Sequence, residues 1–254
     1  MAGMTNNIAL ITGANKGIGL EIARGLGTAG LTVLIGARST ERGETAAETL
    51  RGEGIDARFC QLEVTDADSI AAAAKRIDAE HGRLDVLVNN AGITRVGEPV
   101  WSTSGLTVAA ARGVLEVNVL GVLGVTNALL PLLRRSAAAR VVNVSSEVGS
   151  NTVALHRNGP LWHIQGGIYA ASKAALNRLT VSYAKEFWDS PIRFNVVTPG
   201  YCATDLNDHS GHRTAEQGAA IAVKVALLGA DSPNGGFHSD EEPWLLTNDG
   251  VVPW

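Results

Sequence analysis

The sequence predicts an α/β protein of the doubly wound kind: one domain, residues 1–254, around a parallel sheet of about seven strands. Three observations lead there. Six short runs rich in Val, Ile and Leu recur along the chain, continuous rather than alternating, as in strands covered on both faces. Helical patterns fill the intervals, so strand and helix alternate and the crossovers are expected to be right-handed. The first run also passes straight into a glycine-rich turn that opens the first helix.

The strands are expected at "NIALITG", "LTVLIGA", "DARFCQLEV", "LDVLVNNAG", "ARVVNVSS" and "IRFNVVTPG". Between the first four lie "GLEIARGLGTAG", "TERGETAAETLRGEG" and "DADSIAAAAKRIDAEHG". The last of these has Asp66 and Asp68 near its start and Gly82 after its end, the punctuation of a helix. The uncharged segment "VNVLGVLGVTNALLPLL" contains Asn118, Thr126, Asn127 and Pro131. It falls short of the roughly 20 apolar residues a membrane span needs, so it reads as a core helix whose outer side can meet another subunit. Beyond "TPG" the rhythm changes. "YCATDLNDHSGHR" is polar and loop-like, a lid at about 201–215; "TAEQGAAIAVKVALLG" is a helix, and the irregular tail "GGFHSDEEPWLLTNDGVVPW" holds a final strand.

Apolar residues at 45% and charged residues at 18% describe a soluble globular chain. The net charge of −4 supplies no basic field, which argues against nucleic acid as a partner. Cys60 and Cys202 are the only cysteines, too few for a disulfide framework or a zinc cluster, and Cys60 lies in an apolar run. No basic region precedes an apolar stretch near the start, so no signal peptide is expected and the location is expected to be cytoplasmic. His209 and His212 have no third ligand at a recognisable spacing and read as part of a solvated lid. The acidic run in "SDEEP" reads as solvated surface.

The turn "TGANKGIG" places Gly13, Gly17 and Gly19 between a strand and a helix. Glycines there let the backbone approach a pyrophosphate, and the helix N-terminus favours its charge. The second strand ends in "LIGARSTERG", with Arg38 where an acidic residue would bind a ribose 2′-hydroxyl. A guanidinium suits a 2′-phosphate instead, and Lys16 in the turn adds a second cation. NADP(H) is therefore expected over NAD, although either cation alone could be ordinary solvated surface.

"TGANKGIG", "NNAG" at 89–92, "VNVSS" at 142–146, "YAASK" at 169–173 and "TPG" at 198–200 come in a fixed order. Together they resemble the short-chain dehydrogenase/reductase family over essentially the whole chain, and its carbonyl-reductase-like members in particular. The resemblance implies a Rossmann fold and assigns roles to residues. Tyr169 is the general acid in ketone reduction and the base in alcohol oxidation. Lys173, four residues on and so on the same helix face, lowers the phenol pKa and holds the nicotinamide ribose. Taken without the family, the pair would read as an exposed Tyr with a solvated Lys. Ser146 hydrogen-bonds the carbonyl oxygen, and Asn118 completes a proton relay through water.

The same resemblance places Gly13, Asn15, Lys16, Gly17, Ile18, Gly19 and Arg38 around the cofactor phosphates. Asn89, Ala91 and Gly92 line the adenosine side, with Glu63 and Val64 by the adenine, although the family more often has Asp where this chain has Glu63. Pro199, Gly200, Cys202 and Thr204 lie near the nicotinamide. Ser146 and Tyr169 stand 23 positions apart, roughly ten more than in the commonest family pattern. The extra length, in a substrate loop at about 147–167, carries Leu155, His156, Leu161, Trp162 and His163. These either wall the substrate pocket, with Trp162 the best contact, or pin the loop to the body.

Three functions compete. The first is NADPH-dependent reduction of a small ketone or aldehyde, reversible with the alcohol. The second is reduction of a carrier-bound ketoacyl thioester, for which Arg134, Arg135 and Arg140 would be the basic docking group. The third is a non-catalytic NADP-binding sensor. The apolar helix at 114–133 and the small residues at 170–175 predict a homo-oligomer, dimer or tetramer; the long loop before Tyr169 could instead leave a monomer.

Overall fold

The computed structural model describes residues 7–96, 102–229, 232–240 and 250–254. The six apolar runs are strands β1 (Ile8–Thr12), β2 (Thr32–Ala37), β3 (Ala57–Gln61), β4 (Val86–Asn89), β5 (Arg140–Val144) and β6 (Arg193–Val197). The tail contributes β7, the two residues Phe237–His238, and most of "DEEPWLLTND" lies outside the described residues. The seven strands pair in parallel, in the order β3-β2-β1-β4-β5-β6-β7, and an isolated antiparallel bridge joins His238 to Val251. The doubly wound reading of the sequence is correct.

Helices cover both faces, which explains why the strand runs are continuous. In β1, Ala9 and Ile11 enter one apolar layer and Ile8 and Leu10 the other. The first layer is closed by α1 (Gly17–Thr28), α2 (Thr40–Gly52) and α8 (Ala215–Ala226). The second holds α3 (Ala67–His81), α5 (Val122–Leu133) and α7 (Gly167–Glu186). Alternate residues along one strand point to opposite faces, so each layer takes every second side chain.

The core helix expected at 117–133 begins earlier. α4 (Val108–Leu115) runs through a π-turn, Glu116–Gly121, into α5 without a break. This is the described helix long and apolar enough to cross a membrane, yet Val122, Val125, Leu129 and Leu132 bury against the sheet and α3. The segment after β5 forms a short 3-10 turn at Glu147–Gly149 and then α6 (Asn151–Ala154). It rests on a third, smaller apolar cluster of Val153, Leu161, Val196, Phe237 and Val252.

Candidate active site

β1, β4, β5 and β6 all end at one edge of the sheet, and the sequence motifs meet there. The seam between β5 and α7 is tightly built. Ser145 Oγ donates to Asn177 Oδ1 at 2.7 Å, and Asn177 Nδ2 donates to the Gly149 carbonyl at 3.1 Å. A Cβ on Gly149 would stand 2.9 Å from the Lys173 backbone, so glycine lets the turn abut the helix.

This seam brings Ser146, Tyr169 and Lys173 together. The Ser146 hydroxyl stands near enough to the half-buried phenol to favour its ionised form. The Lys173 ammonium, 5.6 Å from the phenol ring centre, donates to the Val144 carbonyl at 2.8 Å. Burial pulls Lys173 down to about 8. The phenol is pushed up, first by burial and then by the Glu147 carboxylate, with the Ser146 hydrogen bond opposing. Lys173 is not among the causes acting on the phenol here; its ammonium faces the Val144 carbonyl.

Asn118 sits on the π-turn, fully buried. Its side chain brackets the irregular segment after β4, accepting from Ile93 N at 2.9 Å and donating to Ile93 O at 2.8 Å, and also donates to Ser172 Oγ at 3.0 Å. Gly92 lies between Asn118 and Lys173; a Cβ there would be 3.4 Å from Asn118 Oδ1 and 3.5 Å from Lys173 Nζ.

The glycine turn fits a dinucleotide. Gly13 and Gly17 have φ of +66° and +56°. A Cβ on Gly19 would meet Asn90 Nδ2 at 2.5 Å and Gly13 O at 2.6 Å. α2, α3, α4 and α8 open with the capping side chains Ser39, Asp66, Thr107 and Thr214, whereas α1 begins at Lys16 with none. Its first N–H groups are thus left to an anion, and Asn15 and Ile18 flank them in the chain. Arg38 stands largely exposed beyond β2, 3.8 Å from Glu63, with the buried Val64 next to that acid.

Three expectations need correction. Lys16 does not join Arg38; it pairs with Asp205 of the 201–215 segment, because that segment folds over the glycine turn with the Thr204 methyl about one van der Waals contact from Gly17. Asn89 does not turn its side chain to the adenosine side. Strand alternation buries it, and Nδ2 donates to Asn143 Oδ1 at 2.8 Å and Thr126 Oγ1 at 3.1 Å. Asn90 faces the turn instead, donating to Thr12 O at 2.9 Å, ahead of Ala91, whose N–H donates to Thr12 Oγ1. Arg134, Arg135 and Arg140 form no docking group. Arg140 is buried and donates to the Leu228, Ala139 and Gly229 carbonyls, Arg135 pairs with Asp78, and Arg134 lies over Phe187.

The other predicted contacts follow the strand ends. After Pro199, Gly200 takes φ +71° and donates to Thr198 Oγ1 at 3.4 Å. Cys202 is buried, its thiol 3.3 Å from Pro199 O, and Thr204 caps the 3-10 turn Asp205–Asn207. His209 bonds Asp205 at 2.8 Å. In the long loop, Leu161 pins the segment to the third cluster, while Leu155 and Trp162 are exposed and Arg157 stacks on Trp162 at 5.8 Å. Glu147, Thr198, Asn90 and Thr12 escaped the sequence reading.

The comparisons agree with this geometry. The family model "short chain dehydrogenase" matches residues 7–215, and the chain belongs to that family of oxidoreductases. It is 36% identical to "Short-chain dehydrogenase/reductase 1" of Saponaria officinalis, over 92% of this chain and 94% of that one. Salutaridine reductase from Papaver somniferum superposes with a TM-score of 0.79 at 30% identity, covering 92% of this chain and 100% of its own. The Pseudomonas aeruginosa RhlG/NADP complex does so with a TM-score of 0.80 at 30% identity, over 94% and 96%.

Proposed function

We propose that the protein reduces the carbonyl of a ketone or aldehyde to an alcohol with NADPH, reversibly, and that Tyr169 is the general acid. The observation that carries this reading is the convergence of Ser146, Tyr169 and Lys173 at the end of β5, across Gly92 from the glycine turn. When bound, the cofactor supplies the hydride. The chain's own groups do the rest. Ser146 polarises the carbonyl oxygen, Tyr169 delivers a proton to it, and Lys173 restores the charge balance of the phenol and holds the nicotinamide ribose. Asn118 connects this group to water.

Gly13, Asn15, Gly17, Ile18 and Gly19 cradle the phosphates, Arg38 takes the 2′-phosphate, and Glu63, Val64 and the backbone of Asn89, Ala91 and Gly92 line the adenosine side. Pro199, Gly200, Cys202 and Thr204 flank the nicotinamide under a lid at 201–215, and 147–167 form the substrate loop, with Trp162 at its rim. NADP in complexes of similar proteins, such as RhlG, supports the cofactor choice. Exposed Val108 and Leu120 on the long helix support a homo-oligomer. The thioester reading loses its support with the basic cluster, since Arg140 is inside the sheet.

The test is the initial rate of NADPH and NADH oxidation with an activated aryl ketone, in wild type and Tyr169→Phe. Turnover with NADPH that vanishes in the variant supports the reading. Equal or faster rates with NADH overturn the cofactor assignment, and no turnover with either overturns the substrate class.

A further inference from the structure

The residue after Ser146 is a glutamate, and it is only 6% exposed. A polar group so placed needs hydrogen-bond partners to offset the loss of water. Its partners are specific. Thr198, at the end of β6, donates to Glu147 Oε2 at 2.5 Å and accepts the Glu147 backbone N–H at 3.1 Å. Ser146 donates to the same Oε2 at 3.1 Å. A hydroxyl has one hydrogen, so while Ser146 gives it to Glu147 its oxygen can only accept from the phenol.

We propose that Glu147 is a positioning residue: before substrate enters, and gripped by Thr198, its carboxylate takes the Ser146 hydrogen, leaves the Ser146 oxygen as an acceptor facing Tyr169, and so keeps the phenol a proton donor until an incoming carbonyl draws both hydrogens to itself. The inference rests on the proposed role of Tyr169 as acid. Ser146 can stabilise a phenolate only by turning its hydrogen toward it, and Glu147 competes for that hydrogen. The negative charge acts in the same sense, raising the phenol.

Other charges at the phenol are few among the described residues. Lys173 on α7 is 5.6 Å from the ring and bonds to Val144 O. The π-turn packed on α7 presents the uncharged Asn118, while Glu116 beside it and Arg112 on α4 are exposed. The substrate loop contributes Arg157, stacked on Trp162.

The experiment labels the three tyrosines with 3-fluorotyrosine, whose fluorine eases ionisation and gives each phenol its own resonance. Tyr169→Phe assigns the signal, and the protein is titrated without cofactor or carbonyl. In Glu147→Gln the Tyr169 signal should titrate at least half a pH unit below wild type, and Glu147→Asp, which keeps the charge, should recover most of the difference. The alkaline fall of kcat/KM should move in parallel. An unchanged titration in Glu147→Gln overturns the proposal, as does an equal shift in Glu147→Asp. Glu147→Ala is read in the same way if the Gln variant does not fold. A shifted titration with no carbonyl turnover supports the inference while defeating the proposed substrate class; turnover with an unshifted titration does the reverse.

Discussion

Lys173 Nζ donates a 2.8 Å hydrogen bond to the Val144 carbonyl, which joins the Ser145–Asn177 bond in tying α7 to the end of β5. The ammonium is only 4% exposed, and burial holds it near 8 against an ordinary value of 10.5. Between those two values the unfolded chain binds the proton and the folded chain does not, so stability rises with pH across that window.

Lys173→Met should therefore raise thermal stability at pH 7 while abolishing turnover. At about 1.4 kcal/mol per pH unit the gross gain is about 3 kcal/mol, less about 1 kcal/mol for the lost hydrogen bond. Melting curves from pH 6 to 10.5 check it: the advantage should be largest below pH 8 and gone near pH 10.5. An advantage that does not depend on pH would refute the burial account.

Gly19→Ala should disable the cofactor site. Its Cβ would press on a backbone oxygen at 2.6 Å as well as on Asn90, and backbone cannot swing aside. A loss of about 1–3 kcal/mol is expected in urea denaturation, together with loss of NADPH fluorescence enhancement. Wild-type binding would mean that the turn yields more than this packing allows.

Arg38→Asp should lower the NADPH-to-NADH ratio of kcat/KM by roughly tenfold to a hundredfold, since the charge that suits a phosphate becomes one that suits a hydroxyl. Parallel rates with the two cofactors measure it. An unchanged ratio would show Arg38 to be solvated surface.

Asp205→Asn removes the partner of Lys16 and leaves that cation free to face an anion. The pair is exposed, so little change in stability is expected. NADPH should instead bind a few-fold more tightly, with a steeper dependence on salt. Fluorescence titration at two ionic strengths decides; weaker binding would mean that the pair holds the 201–215 segment in its competent position.

The strands were legible because burial on both faces forces continuous apolar runs, and Tyr169 and Lys173 because they stand in a family motif; helical spacing puts them on one face but alone reads as ordinary surface. Glu147 was not, since a lone acid after a strand resembles any turn, and only Thr198, distant in sequence, makes it a buried group. Asn89 and Asn90 exchange roles for a comparable reason: strand alternation decides which one faces inward, and the motif alone does not say. Arg134, Arg135 and Arg140 cluster in sequence but are divided between a helix end and a strand, so their proximity dissolves in space.

The loop before Tyr169 is held by residues far along the chain. Ser150 Oγ donates to Pro253 O at 2.5 Å, and Thr152 Oγ1 to Trp254 O at 2.6 Å, across sequence separations of 103 and 102. Contacts that distant form late, because the chain between them must first be ordered. During synthesis the sheet from β1 to β5 can assemble while this loop still lacks its anchor. The loop beside Tyr169 gains this anchor only once residue 254 has left the ribosome, so a partly made chain can have most of its strands before this loop is fixed.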